Sequence, residues 1–205
     1  MSSHRHITEP PEDDRAAANR DAYLDAAREC ILDVGWRRTT LTEVARRAGV
    51  SRMTIYRAWA DMPTLLGDLM TREWVGILTR VTGGVHLEGD QVSVLRSDLV
   101  EMVRALRANE LFVRIVELDP ELVLPYLLAR RGRSQDAILE RVESVVRAGQ
   151  ETRAIRRGNP TAIARSLVLA AHGFVISAQT MVDDHVSETE LDVELGRVVE
   201  GLLAP

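Results

Sequence analysis

The residues best placed for chemistry lie between positions 52 and 57. If Ile55 and Trp59 set the inner face of a helix there, Arg52, Met53, Thr54, Tyr56 and Arg57 point away from it. An arginine in the first turn of an exposed helix can fork onto a guanine edge, a contact worth roughly 1–3 kcal/mol of base discrimination. Arg52 holds that position, and Arg57, one turn on, can take a base or a phosphate. Met53 and Thr54 offer contacts to a thymine methyl. Thr40 and Thr42 stand where a preceding helix would begin, so an amide or hydroxyl there can meet a phosphate or an outer base.

Two short helices must hold these groups. Thr40 precedes an apolar set at Leu41, Val44, Ala45 and Ala48, spaced as one helical face, and Thr40-x-x-Glu43 reads as a capping box. Gly49 supplies a residue that can leave the helix at positive φ. Ser51 then caps the second helix. Two helices joined by a short glycine-containing turn are the arrangement that places one helix in a DNA major groove.

The residues that fill this pattern are Leu24, Ala26, Ala27, Ile31, Gly35, Thr39, Thr40, Val44, Ala45, Ala48, Gly49, Val50, Ser51, Thr54, Ile55, Tyr56, Trp59, Leu65 and Leu66. Together they resemble the N-terminal domain of TetR-family transcriptional regulators, and the Ala-Gly-Val-Ser-x-x-Thr-Ile-Tyr stretch is the most specific part. The resemblance covers residues 20–70. It implies that Tyr56 offers its hydroxyl to a backbone phosphate. One departure is visible: similar proteins carry a lysine near a phosphate at the start of the fourth helix, where this chain has Met62.

Composition points the same way only after its distribution is considered. The chain has 205 residues, 4% aromatics and a net charge of −5, which on its own argues against a nucleic-acid partner. Between Val34 and Ala60, however, six arginines face one glutamate, a local +5 that leaves −10 for the rest. Such asymmetry suits a basic face turned to phosphates and an acidic body turned away. All 26 basic residues are arginine, and the single cysteine, Cys30, can form no disulfide within one chain. A cytoplasmic location is expected: Ser2 to Asp14 is polar and acidic, and the apolar run Leu167 to Ile176 is too short to span a membrane.

The fold class expected is all-α, with about nine helices. Residues 1–18 read as a disordered arm in which Arg5 and Arg15 could reach a minor groove, 19–62 as the helix-turn-helix domain, and 63–205 as a ligand-binding and dimerisation domain. The first helix is expected over Asn19–Val34, with Tyr23, Ala26, Ala27, Cys30, Ile31 and Val34 on its apolar face. A fourth runs from an Asp61 cap to about Val81, and Gly83, Gly84 and Gly89 mark a loop. A fifth spans Asp90–Ala108 and a sixth Glu110–Leu118. A seventh starts near Pro120 and extends towards Ala148, kinked at Pro125 and open to a break at 131–133. The eighth covers Pro160–Met181, and Ser187-x-x-Glu190, a second capping box, opens the ninth.

One helix reads too few base pairs for specificity, so a homodimer on a near-palindromic DNA operator is expected, its reading heads about 34–36 Å apart. The last two helices offer the interface, through Leu167, Ala170 and Phe174 on the eighth and Leu191, Leu195, Val198, Val199 and Leu202 on the ninth. The resemblance further implies a pocket among the middle helices for a small-molecule effector, with Trp74, Met102, Phe112, Tyr126, His172 and Phe174 as candidate lining. Mostly apolar walls suit an apolar or aromatic compound.

No glycine-rich phosphate loop, metal-ligand spacing or nucleophile elbow is present, so no catalytic residue, metal site or cofactor is assigned. His4, His6, His86, His172 and His185 are scattered. The reading is therefore a ligand-responsive repressor, with an activator or an architectural DNA-binding protein without an inducer as the alternatives.

Overall fold

A computed structural model describes residues 12–83 and 90–205, helical throughout its regular elements and without a strand among them. Contacts divide the chain into two compact units that meet in sequence at Leu69 and Met70. Arg5, His4, His6, His86, Gly84 and Gly89 lie outside the described residues, as does the side chain of Arg15.

The first unit contains α1 (Glu12–Val34), a 3-10 turn (Trp36–Arg38), α2 (Leu41–Arg47), α3 (Arg52–Ala58) and the start of α4 (Met62–Thr82). Its core joins Leu24, Ala27, Cys30 and Ile31 of α1 to Leu41, Val44 and Ala45 of α2, with Ile55, Trp59, Leu65 and Leu69 closing it. Every one of these is apolar and at helical spacing, so burial follows from the pattern. Val34, expected on that face, is exposed. It is the last residue of α1, before Gly35 turns the chain at φ 81°.

In the second unit the rest of α4 is followed by α5 (Gln91–Arg107), α6 (Glu110–Leu118), a 3-10 turn (Pro120–Leu122), α7 (Leu124–Leu128), α8 (Arg133–Glu151), α9 (Pro160–Ser177), a 3-10 turn (Ala178–Met181) and α10 (Glu188–Leu203). Helix α5 packs against α8, α9 and α10, and α9 packs against both α8 and α10. Leu95, Leu99 and Val103 meet Val142, Val145, Val146, Ile163, Leu167, Leu195 and Val199 there. Each side chain of this kind stabilises the fold by roughly 1.5–3 kcal/mol on burial. The α8–α9 connection is tight: a Cβ on Gly149 would stand 2.4 Å from Ile155 Cδ1, so only glycine admits that side chain.

Helix starts are fixed by side chains that accept first-turn amides: Asp90 from Val92, Asn109 from Phe112, Asn159 from Thr161 and Ser187 from Glu190. At Ser187 the capping box is complete, since Glu190 returns an acceptor to the Ser187 amide at 2.8 Å. At Thr40 only half forms. Thr40 Oγ1 accepts from the Glu43 amide at 3.2 Å, but the Glu43 carboxylate turns to Arg46 at 2.6 Å.

Several expectations change. Helix α1 begins at Glu12 and not at Asn19, and Ala16, Ala17 and Ala18 ahead of Asn19 favour the helix. The long seventh helix does break at 131–133 as expected, with Gly132 ahead of α8, but the part before it is further divided into the 3-10 turn and α7, with Pro125 in the first turn of α7. The eighth tightens into 3-10 geometry after Ser177. Leu167, Leu195 and Val199, expected at a dimer surface, are at most 1% exposed inside the chain's own core. What those helices present outward is Leu169, Gly173 and Ile176 on α9 and Val193 and Val198 on α10. Pro160–Met181 is also long and apolar enough, at 22 residues and mean hydropathy 1.5, to meet the composition of a membrane span, which the shorter run considered in the sequence does not. A third of it is buried in the fold.

Candidate nucleic-acid interface

The turn between α2 and α3 decides how α3 is presented. Val50 N–H donates to Ala45 O at 3.0 Å and Gly49 N–H to Arg46 O at 3.3 Å, the paired bonds of a Schellman ending. Gly49 takes φ 68°, the left-handed region where a side chain costs most. Ser51 then caps α3, its Oγ accepting from Thr54 N–H at 3.2 Å. Ile55 is the one buried residue of α3, and Trp59, its C-cap, is 1% exposed.

With Ile55 and Trp59 turned in, Arg52, Met53, Tyr56 and Arg57 are the exposed side chains of α3. Met53 is 64% and Tyr56 49% exposed, and Arg52 and Arg57 are exposed too. Tyr56 is thus not a core tyrosine. Among the described residues, neither Arg52 nor Arg57 has an ion-pair partner. Thr54 differs: it is half-buried and shares its hydroxyl with Ser51 at 2.9 Å. Thr40 is exposed with its hydroxyl engaged in capping, and Thr42 is half-buried.

The six arginines counted in the sequence are not equivalent. Arg46 is paired with Glu43, which holds that carboxyl below its ordinary range through the hydrogen bond. Arg47 is paired with Asp33 at 2.5 Å, and Arg38 Nε donates to the Val34 carbonyl at 3.0 Å. A charge count over sequence could not separate Arg47 from Arg52 and Arg57, because its partner Asp33 lies outside the counted window. A cleft of about 280 Å³ opens beside them, lined by Cys30, Asp33, Val34, Arg38, Thr40, Glu43 and Arg47. Burial pushes the Cys30 thiol up, which leaves it a poor nucleophile.

In the second unit the candidate pocket residues are only partly gathered. Trp74 and Phe112 meet edge to face with centroids 5.5 Å apart. Met102 and Phe112 are buried, while Phe174 is half-buried against the core. His172 is half-buried, and burial alone holds its imidazole below the ordinary value. Tyr126 stands apart: it is 36% exposed on the five-residue α7, with the Arg130 guanidinium 4.9 Å over its ring.

The helix-turn-helix residues match a family model, that of bacterial regulatory proteins of the tetR family, over residues 24–69. Over 180 residues, 88% of this chain and 92% of the relative, the sequence is 32% identical to an HTH-type transcriptional regulator of Mycobacterium bovis. The chain belongs to the TetR family. This is a family of DNA-binding transcriptional regulators, not of enzymes. Its fold is shared with the TetR-family repressor QsdR of Rhodococcus erythropolis, at TM-score 0.63 and 15% identity over 95% of this chain and 98% of that one. It is shared too with SmeT, the repressor of a Stenotrophomonas maltophilia multidrug efflux pump, at TM-score 0.61 and 22% identity over 91% and 90%.

Proposed function

We propose that this TetR-family regulator is a cytoplasmic homodimer that binds a near-palindromic operator and represses transcription until a small apolar or aromatic effector releases it. The observation that carries the DNA part is the outer face of α3, where Arg52, Met53, Tyr56 and Arg57 are exposed and the two guanidiniums are unpaired among the described residues. Arg52 reads a guanine in this scheme, Arg57 a base or a phosphate, and Met53 and the Thr54 methyl a thymine. Tyr56 and the starts of α2 at Thr40 and Thr42 take phosphates.

Support for the dimer comes from the outward side of α9 and α10. Leu169 is 68% and Val198 44% exposed, and Gly173 has open space beside it, which would let a second helix approach closely. Ala170, Phe174, Leu191 and Leu202 flank that side, with Leu167, Leu195 and Val199 behind it as support. For the effector, Trp74, Phe112, Met102, Phe174 and His172 supply an apolar lining with one polar group. SmeT, which has this fold, forms a complex with triclosan, an aromatic compound.

Selection of bound duplexes from random DNA tests the reading. The purified protein should enrich one near-palindrome by about 10³-fold or more over unrelated DNA at physiological salt. Enrichment of no sequence would leave an architectural role, and a monomer indifferent to DNA at low salt would remove both.

A further inference from the structure

Trp59 is where α3 ends, and its indole is gripped from three directions within the first unit. Its Nε1–H donates to Asp68 Oδ2 at 2.8 Å. The Arg20 guanidinium lies 4.5 Å over its ring, and the Tyr23 ring meets it nearly edge-on at 6.5 Å. Arg20 also donates through Nη2 to the same Asp68 oxygen. One carboxylate atom on α4 therefore ties together α1, through Arg20, and the C-cap of α3, through Trp59.

Helix α3 has few other holds. It has seven residues, roughly 10 Å at 1.5 Å per residue, and buries Ile55 alone. Its N-terminus is set by Ser51 and the Gly49 turn, so its direction depends on where its far end is pinned. We propose that Asp68 is a positioning residue for DNA reading: through the Trp59 indole and Arg20 it fixes the direction in which α3 presents Arg52 and Tyr56. This rests on the reading of α3 as the recognition helix. Asp68 touches no DNA in this scheme; it acts on the angle of a helix that does.

The experiment compares wild type, Asp68→Ala, Asp68→Asn and Arg20→Gln on two probes, a duplex recovered by selection and a scrambled duplex of the same length. Far-UV circular dichroism on each variant reports helicity. Asp68→Ala leaves a buried indole N–H without its acceptor and should bind the selected duplex about tenfold more weakly. Its low-salt affinity for the scrambled duplex should stay within about threefold, since the exposed arginines remain. Asp68→Asn keeps an oxygen for the indole and should stay within about threefold of wild type on both. Equal loss on the two duplexes, or none, from a folded Asp68→Ala overturns the proposal. If that variant does not fold, Arg20→Gln decides, because Arg20 is half-exposed and its replacement buries no unpaired charge. A loss of about threefold confined to the selected duplex is expected of it, and wild-type affinity overturns the proposal. A wild-type protein that prefers no duplex defeats the functional reading, and this inference with it.

Discussion

Arg107 Nη2 lies 2.5 Å from Asp192 Oδ1, and the two side chains are only 8% and 5% exposed. Arg104 Nε donates to the other carboxylate oxygen at 2.6 Å, so one acid on α10 holds two guanidiniums of α5. Removing the acid leaves the buried Arg107 guanidinium only Glu188, at 4.0 Å, among the described residues. Asp192→Ala should therefore lose about 3–5 kcal/mol of stability in urea unfolding. Arg104→Ala, whose side chain is half-exposed, should lose no more than about 1 kcal/mol. Similar losses from both would mean that Glu188 takes over Arg107.

Arg52 and Arg57 should be distinguishable by what they relax. Arg52→Ala is expected to cost about 1–3 kcal/mol on the selected operator and to loosen preference at one position per half-site. If Arg57 meets a phosphate, Arg57→Gln should weaken binding alike on all sequences and lower the slope of log K against log salt by about 1 per contact. Binding titrations at several salt concentrations separate the outcomes.

Gly49 offers a clean measure of backbone strain. A Cβ there meets nothing within 4 Å, yet φ is 68°. Gly49→Ala should thus cost about 1–2 kcal/mol, from conformation alone. Thermal unfolding reads it, and no loss would mean the turn relaxes to negative φ.

His172 gives the fold a pH dependence of known sign. Burial disfavours its charged form, so its folded value lies below the unfolded one. The neutral imidazole contributes no penalty above the unfolded value of about 6.5, and stability falls as pH drops below that value towards the folded one. His172→Gln should flatten the change in melting temperature between about pH 7.5 and 5.5. An unchanged slope would place the titration elsewhere.

Local chemistry was the part of this molecule most legible in the sequence. Gly49, Ser51 and the pair Ile55 and Trp59 specify a turn, a cap and an inner face with residues a few positions apart. They are found in the structure as read. What depends on distant partners was not legible. Nothing near Arg47 in sequence announces Asp33, fourteen positions earlier. Likewise, Leu195 and Val198 look alike on a helical stripe. Only the packing of α5 against α10 decides that one is fully buried and the other 44% exposed. The division of the long helix after Pro120 arises from two prolines and a glycine whose separate effects are known but whose sum is set by packing.

On α3 the atoms that keep the protein folded and those that face outward do not overlap. Ser51, Ile55 and Trp59 anchor the segment, whereas positions 52, 53, 56 and 57 support nothing behind them. On the proposed reading of α3, a library varied at those four positions among helix-forming residues should melt alike yet select different duplexes. The address is interchangeable, and the scaffold that delivers it is not.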